Sequence, residues 1–355
     1  MRFVKASDLK RGMRLGRPIY NRRGELIYDI DHKLIDADII KMHNDKVMGI
    51  FALDPAEPVP PMSDTEREYD KQRFLNVYAL RDEMHKILYN HRANRLDAIT
   101  DSIVSSFEMF KKRIDFHQSV RSRDEYVCSH SVNVAILVTL MGSKLGMTNS
   151  DKRTAVLAAL LHDIGKYVVP DKLLEGETAE EVNRILNNAQ DTGFELIGQL
   201  FGGDKSVMNI CIQVHRILMN HGFGRKNDER PALIPRLLLV ADTFDSMTAI
   251  DASGGLEPKS YVEALRYLRY YPEIFNTKAV EALENSIEIL KPGTTVLLSN
   301  KNQALVTVAA KGDTLRPTVL EIKTNKIINL EDMSNRDIEI VDVIKKLDTR
   351  HVVDR

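Results

Sequence analysis

Cysteine and net charge are both scarce in this sequence, and each shortage excludes classes of protein. Cys128 and Cys211 lie far apart in apolar helical sequence, so they offer neither a disulfide framework nor a zinc-binding spacing. Buried reduced thiols are the expected state of both. The net charge is −1 over 355 residues, so no strong overall field attracts nucleic acid or an anionic membrane. No basic stripe interleaved with aromatic residues points to nucleic-acid binding either.

Long apolar runs are also missing from the sequence. Residues 1–16 lack the apolar segment of a signal peptide. No stretch approaches the roughly 20 apolar residues that a membrane-spanning helix needs. We therefore expect a cytoplasmic protein without a membrane span. The length exceeds what one hydrophobic core usually serves, which predicts two or three domains.

Changes in residue pattern divide the chain into four stretches. Residues 1–57 predict a small N-terminal α+β domain, with a hairpin, a helix over 36–43 and a returning strand over 47–53. Residues 58–119 predict a linker and connecting helices, which could also carry a homodimer contact. Residues 120–290 have the strongest helical pattern. Residues 291–355 contain β-branched runs between turn residues and predict a small C-terminal β domain.

Two helix starts are predicted inside the helical stretch. Ser150 is the predicted cap of a helix that continues to Leu161. Thr178 and Glu181 have the spacing of a reciprocal capping box. Further helices are predicted over 206–220, 235–248, 259–270 and 277–290.

The segment 160–166 carries the strongest chemical signal, because an apolar helix ends there in His162-Asp163. Buried ionisable groups are costly unless they are paired or bound to metal. Imidazole and carboxylate suit zinc, manganese or iron. His130 and Asp242 interrupt two other apolar helices. These four residues could converge on one ion inside a helical bundle.

The order His130, His162-Asp163, Asp242 resembles the H…HD…D pattern of the HD phosphohydrolase superfamily. More narrowly, the chain resembles the HD-GYP family, the cyclic di-GMP phosphodiesterases of bacteria. The matching segments are 124–131, 158–166, 169–171, 193–196, 239–245 and 274–280. The resemblance implies a mainly α fold, in which an all-helical HD-type bundle is flanked by the two small end domains. It also implies a divalent metal cofactor (iron, manganese or zinc) of one or two ions.

The sequence departs from the family pattern where a second ion would bind. Ala189 stands where the family has a metal-binding histidine, and Val214-His215 align with two adjacent histidines. Arg216 aligns with a glutamate of the family. Gly222-Phe223-Gly224 replaces the Gly-Tyr-Pro signature, so the GYP motif is degenerate. The set of ligands is complete for one ion and impoverished for a second.

Candidate roles follow from the resemblance and from residue chemistry. The candidate metal ligands are His130, His162, Asp163, Asp242 and His215. The candidate catalytic residues are Asp163 and Lys166, and the candidate substrate-binding residues are Lys166, Asp245, Arg216 and Arg225. Asp245 could instead orient a metal ligand from behind. The two arginines could equally belong to a solvated basic loop.

Two functions remain open from the sequence. The first is a metal-dependent phosphohydrolase that acts on cyclic di-GMP or a related nucleotide phosphodiester. The second is a catalytically inactive HD-GYP module in signalling. Its partner would be a nucleotide second messenger or a signalling protein.

Overall fold

The N-terminal unit is a small sheet with one helix, as the sequence predicts. The structure is a computed structural model that describes residues 2–21, 23–44, 47, 49–53, 59, 62–118, 120–121, 123–170, 173–174, 177–219, 232–251 and 258–344. The N-terminal elements are β1 (Arg2–Lys5), β2 (Arg14–Leu15), β3 (Ile19–Tyr20), β4 (Leu26–Tyr28), α1 (Asp36–Asn44) and β5 (Gly49–Leu53). β5 lies between β1 and β2, antiparallel to both, and β3 pairs with β4 as the predicted hairpin. The unit has its own apolar core, which includes Leu15, Leu34 and Met42.

A helical bundle forms the middle of the chain. Its elements are α2 (Asp64–Asn90), α3 (Leu96–Phe107), β6 (Val120–Arg121), α4 (Arg123–Lys144), α5 (Asn149–Leu161), α6 (Ile164–Val168), α7 (Ala179–Leu200), α8 (Ser206–Met219), α9 (Leu233–Thr248), β7 (Ile250–Asp251), α10 (Tyr261–Tyr270) and α11 (Thr277–Glu284). α4 is the central helix and packs against α2, α3, α5, α9 and α11. From Cys128 to Met141 its described side chains are almost all buried. The mainly α fold is confirmed.

The C-terminal unit is an antiparallel sheet, as predicted. Its strands are β8 (Thr295–Leu298), β9 (Gln303–Val308), β10 (Thr318–Glu321), β11 (Lys326–Asn329) and β12 (Ile340–Val343). They lie in the order β11-β10-β9-β8-β12. The sheet, α2 and α3 all share one continuous apolar core with the bundle. The boundaries placed at residues 57, 119 and 290 stay predictions.

Three predicted helix ends are wrong in detail. Thr148, not Ser150, caps α5, because its side chain accepts the N–H of Asp151. Thr178 caps α7 through the N–H of Glu181, but the Glu181 carboxylate pairs with Arg184 instead of closing the box. The helix predicted over 277–290 ends at Glu284. Beyond it the backbone forms a bridge to the segment around residue 114, which removes the chain from the helical path.

One helix of the described residues is long and apolar enough to cross a membrane by length and composition alone. This stretch, Tyr126–Lys144, belongs to α4, and 83% of its apolar window is buried inside the protein. By length and composition, this stretch contradicts the expectation that no segment approaches a membrane span. The burial of this stretch is that of a core helix.

Candidate metal centre

Helices α4 and α9 and the turn between α5 and α6 bring the predicted ligands to one buried point. His130 lies on α4, and Asp242 lies on α9, which packs against it. His162 directly follows α5, and Asp163 directly precedes α6. The four residues are between 1% and 6% exposed. The polar interruptions recognised in three apolar helices therefore face one another.

The ligand atoms lie at the spacings of a coordination shell. Nε2 of His130 is 3.2 Å from Nε2 of His162 and 3.0 Å from Oδ1 of Asp242. Oδ2 of Asp163 is 3.7 Å from both imidazole Nε2 atoms. Nε2 of His162 is 3.8 Å from Oδ1 of Asp242. One ligand atom each of His130, His162 and Asp163 falls within 4.8 Å of the others.

These spacings fit a divalent ion. Two ligand atoms that are each about 2.1 Å from an ion lie about 3.0 Å apart at a right angle and about 3.4 Å apart at a tetrahedral angle. The distances from 3.0 to 3.8 Å bracket those values. The set of two imidazoles and two carboxylates suits zinc, iron or manganese. The described His/Asp cluster can thus hold a divalent metal ion.

Buried carboxylates surround the His130 ring and favour positive charge there. Burial opposes the charge of His130, but Asp242 and Asp245 overcome this effect and raise its pKa to about 9. Burial likewise opposes the charge of Asp242, yet hydrogen bonds from His130 and His162 hold its pKa well below the ordinary value. The same carboxylates that raise the pKa of His130 favour a cation at this point.

Asp245 lies behind His130 and not in the pocket. Its Oδ2 is 2.6 Å from Nδ1 of His130, and its side chain is fully buried. Its Oδ1 accepts hydrogen bonds from the amides of Gln118, at 2.8 Å, and Asn133, at 2.9 Å. The structure therefore brings Asp245 against a candidate ligand, as in the alternative reading of its role. No role for Gln118 or Asn133 is predicted from the sequence, although Asn133 lies one helical turn after His130.

Asp163 is held on its remaining sides by two donors. The amide nitrogen of Gln190, on α7, donates to Oδ1 at 2.9 Å and to the carbonyl of His162 at 3.0 Å. The ammonium of Lys166 donates to Oδ2 at 2.8 Å. Burial opposes the charge of Asp163, and the nearby Lys166 is the main cause that lowers its pKa. Gln190 was also missed, and its position directly after Ala189 gave no chemical signal.

α6 and α7 pack unusually closely at two glycines. A Cβ added to Gly165 would lie 2.4 Å from the carbonyl oxygen of Ala189 and 2.6 Å from Cα of Gln190. A Cβ added to Gly193 would lie 2.6 Å from the backbone nitrogen of Gly165. This close approach places Gln190 within hydrogen-bonding reach of the His162-Asp163 turn.

A pocket of about 350 Å³ opens beside the cluster. His162, Asp163, Lys166 and Gln190 line one side of it, and α8 contributes the other side, which includes Val214 and His215. The His215 ring is half-buried and packs edge-on against Phe194. Burial and the charge of Lys166 lower the pKa of His215.

The described structure covers only one of the two predicted arginines. Arg216 is exposed and is not among the lining residues. Arg225 and the degenerate Gly222-Phe223-Gly224 loop lie outside the described residues. Their roles stay predictions.

Comparison with known proteins agrees with this geometry. A family model described as the HD domain matches residues 127–248. The match contains all four residues of the cluster, and it confirms the resemblance to the HD superfamily. Gln118 lies outside the matched residues.

The curated relatives of this HD domain are cyclic-dinucleotide phosphodiesterases, which confirms the resemblance to the HD-GYP family. Cyclic di-GMP phosphodiesterase PA4108 of Pseudomonas aeruginosa is 26% identical over 193 residues, which cover 53% of this chain and 45% of the relative. The 3'3'-cGAMP-specific phosphodiesterase 3 of Vibrio cholerae is 29% identical over 137 residues, 38% of this chain and 30% of the relative. The chain thus spans less than half the length of these relatives. A solved structure, Bd1817, a HDG"Y"P protein from Bdellovibrio bacteriovorus, covers 79% of this chain and 97% of its own, with a TM-score of 0.45 and 15% identity.

Proposed function

We propose that the protein is a metal-dependent phosphohydrolase of the HD-GYP type, which cleaves cyclic di-GMP or a related nucleotide phosphodiester. The observation that carries this proposal is the convergence of His130, His162, Asp163 and Asp242 on one buried point that borders a pocket. The named activities of the relatives support the same substrate class.

The proposed site holds one divalent ion through these four side chains. A bound ion of this kind lowers the pKa of a bound water toward 7 and polarises a phosphoryl oxygen. Asp163 would help to hold the ion while Gln190 donates to its Oδ1 and Lys166 to its Oδ2. Ala189 and Val214 offer no ligand to a second ion.

Lys166 is the proposed contact for a substrate phosphate. Its side chain is 34% exposed and lines the pocket beside Asp163. Burial opposes its charge, but Asp163 raises its pKa, so the group stays cationic at neutral pH. A cation at this position neutralises phosphate charge as the substrate approaches the centre.

A second candidate function is a catalytically inactive module that binds a nucleotide or a partner protein. The substitutions at Ala189 and Val214 favour it, because they remove ligands that intact family members use. The retained cluster and the open pocket favour the enzyme.

Hydrolysis of cyclic di-GMP and of 3'3'-cGAMP tests the proposal. The full chain is loaded in turn with Mn²⁺, Fe²⁺ and Zn²⁺, and the linear and mononucleotide products are separated by chromatography. We expect turnover by the wild type and loss of at least about 100-fold in His162→Ala and Asp242→Ala, as for removal of a metal ligand. Retention of cyclic dinucleotide binding with no turnover under any metal would support the inactive module instead.

A further inference from the structure

The face of His130 that points away from the cluster meets a buried polar network. Nδ1 of His130 donates to Oδ2 of Asp245, and Oδ1 of Asp245 accepts from Gln118 and Asn133. Gln118 also donates to the hydroxyl of Thr248 at 2.8 Å, and its own Oε1 accepts from Asn133 at 3.2 Å. All of these residues are at most 4% exposed. The network therefore operates without competition from bulk water.

The network fixes the position of the proton on the His130 ring and the orientation of that ring. Metal binding requires both. A carboxylate on Nδ1 keeps the proton there and leaves the Nε2 lone pair for an ion. The carboxylate can do this only if it does not rotate. Two amide donors on Oδ1 hold it in plane, so Oδ2 stays directed at His130. Gln118 and Asn133 reach this oxygen from different parts of the chain.

We propose that Gln118 and Asn133 are positioning residues for the metal centre, which act on His130 through Asp245. This inference rests on the proposed function, because it assigns residues to the same metal site. Neither residue touches the ion or a substrate.

Gln118 lies outside the matched residues 127–248 and is held in place by other parts of the chain. Gln118 precedes α4, in a segment whose backbone pairs with residues 286–288 after α11. Nε2 of His117, its neighbour, lies 2.6 Å from Oδ1 of Asp70 on α2. The affinity of the HD domain for metal therefore depends on a residue outside the matched range 127–248. α2 and the chain after α11 hold that residue in place.

Asn133 shows that the network serves the site more than the core. Its Oδ1 is buried and has no hydrogen-bond partner among the described residues. A buried acceptor without a partner destabilises the folded chain. Asn133 therefore presents its amide N–H groups to Asp245 and Gln118 at a cost to stability, which favours a positioning role.

The test uses the 355-residue chain with Gln118→Leu and Asn133→Leu, which replace the amide donors by apolar groups. Thr139→Val is the matched control, because Thr139 is also buried on α4 but its hydroxyl donates to the carbonyl of Ala135, away from the network. Three quantities are measured: the dissociation constant for Zn²⁺ by chelator competition, the absorption spectrum of the Co²⁺-loaded site, and the thermal unfolding midpoint of the metal-free protein. We expect both Leu variants to bind Zn²⁺ about 10–100-fold more weakly, as for other outer partners of metal ligands. Their Co²⁺ spectra should differ from the wild type, and Thr139→Val should match the wild type.

Wild-type affinity and an unchanged Co²⁺ spectrum in both Leu variants would overturn the assignment, even if the unfolding midpoint falls. If Gln118→Leu does not fold, Asn133→Ala decides the question with the same readouts. A wild type that binds neither Zn²⁺ nor Co²⁺ in a His162-dependent way would remove the proposed function, and the assignment with it. Normal wild-type binding with normal Leu variants would remove the assignment alone.

Discussion

Gly165→Ala should disrupt the packing that shapes the His162-Asp163 turn. The added Cβ would lie 2.4 Å from the carbonyl oxygen of Ala189 and 2.6 Å from Cα of Gln190. Ordinary contacts of carbon lie at about 3.5 Å, so α7 must retreat by about 1 Å. Both contacts are with backbone, which a side-chain rotation cannot relieve. The retreat would also withdraw the Gln190 amide from Asp163 and from the His162 carbonyl.

The expected cost follows from these distances. Overpacking of this kind destabilises by about 1–3 kcal/mol. At about 2–4 °C for each kcal/mol, the unfolding midpoint should fall by about 2–12 °C. Differential scanning calorimetry of the metal-free chain measures this shift. Gly193→Ala should behave in the same way, because its Cβ would meet the backbone nitrogen of Gly165 at 2.6 Å.

Gly198→Ala is the matched control on α7, the helix that also carries Gly193. Its Cβ would meet only Sδ of Met208, at 3.2 Å, and that atom ends a flexible side chain. The helix should instead gain roughly 0.5–1 kcal/mol from replacement of an interior glycine. An unfolding midpoint of Gly165→Ala equal to or above that of Gly198→Ala would refute the close-packing argument.

Two further predictions concern charged residues inside and beside the site. Lys166→Met should leave the affinity for Zn²⁺ unchanged or tighter, because Lys166 competes with an ion for Oδ2 of Asp163. Its turnover should fall about 10–100-fold through loss of a charged hydrogen bond to phosphate. Chelator competition measures the affinity and product analysis the turnover, and weaker Zn²⁺ binding would contradict the reasoning. Asp70→Asn should destabilise the chain through loss of charge. Burial opposes the charge of Asp70, but His117 and the nearby arginines lower its pKa from 3.8 to about 2. A carboxylate with a lowered folded pKa stabilises above its unfolded pKa, so about 2 kcal/mol should be present above pH 4 and lost as the pH falls toward 2. Urea unfolding of both proteins at pH 7 and near pH 3 checks this, and a difference that stays constant with pH would contradict it.

The four clustered residues could be predicted from sequence because each breaks a strong local pattern. His162 and Asp163 end an apolar helix, and His130 and Asp242 interrupt two others. A buried ionisable side chain without a partner destabilises the fold, so the sequence predicts that these side chains meet one another. The helical stretch, the N-terminal hairpin and the C-terminal sheet are predicted from the local pattern of apolar and turn residues.

The residues that hold the cluster in place could not be predicted in this way. Gln118, Asn133 and Gln190 are neutral amides, which are common on exposed helix faces, and only the packing of distant helices buries them. The helix ends differ from the prediction because a local pattern does not include competing partners. Arg184 donates to the Glu181 carboxylate, and the segment near residue 114 pairs with the backbone after Glu284. Tertiary contacts decided each of these positions.

The number of ions that stay bound to the purified chain tests the central claim most directly. The 355-residue chain is loaded with Zn²⁺ or Mn²⁺, dialysed, and analysed by inductively coupled plasma mass spectrometry beside His162→Ala and the control Thr139→Val. We expect about one ion per chain in the wild type and in the control, and almost none in His162→Ala, because His130, His162, Asp163 and Asp242 are proposed to hold a single ion together. A wild type without bound metal, or a His162→Ala variant that retains it, would contradict the account.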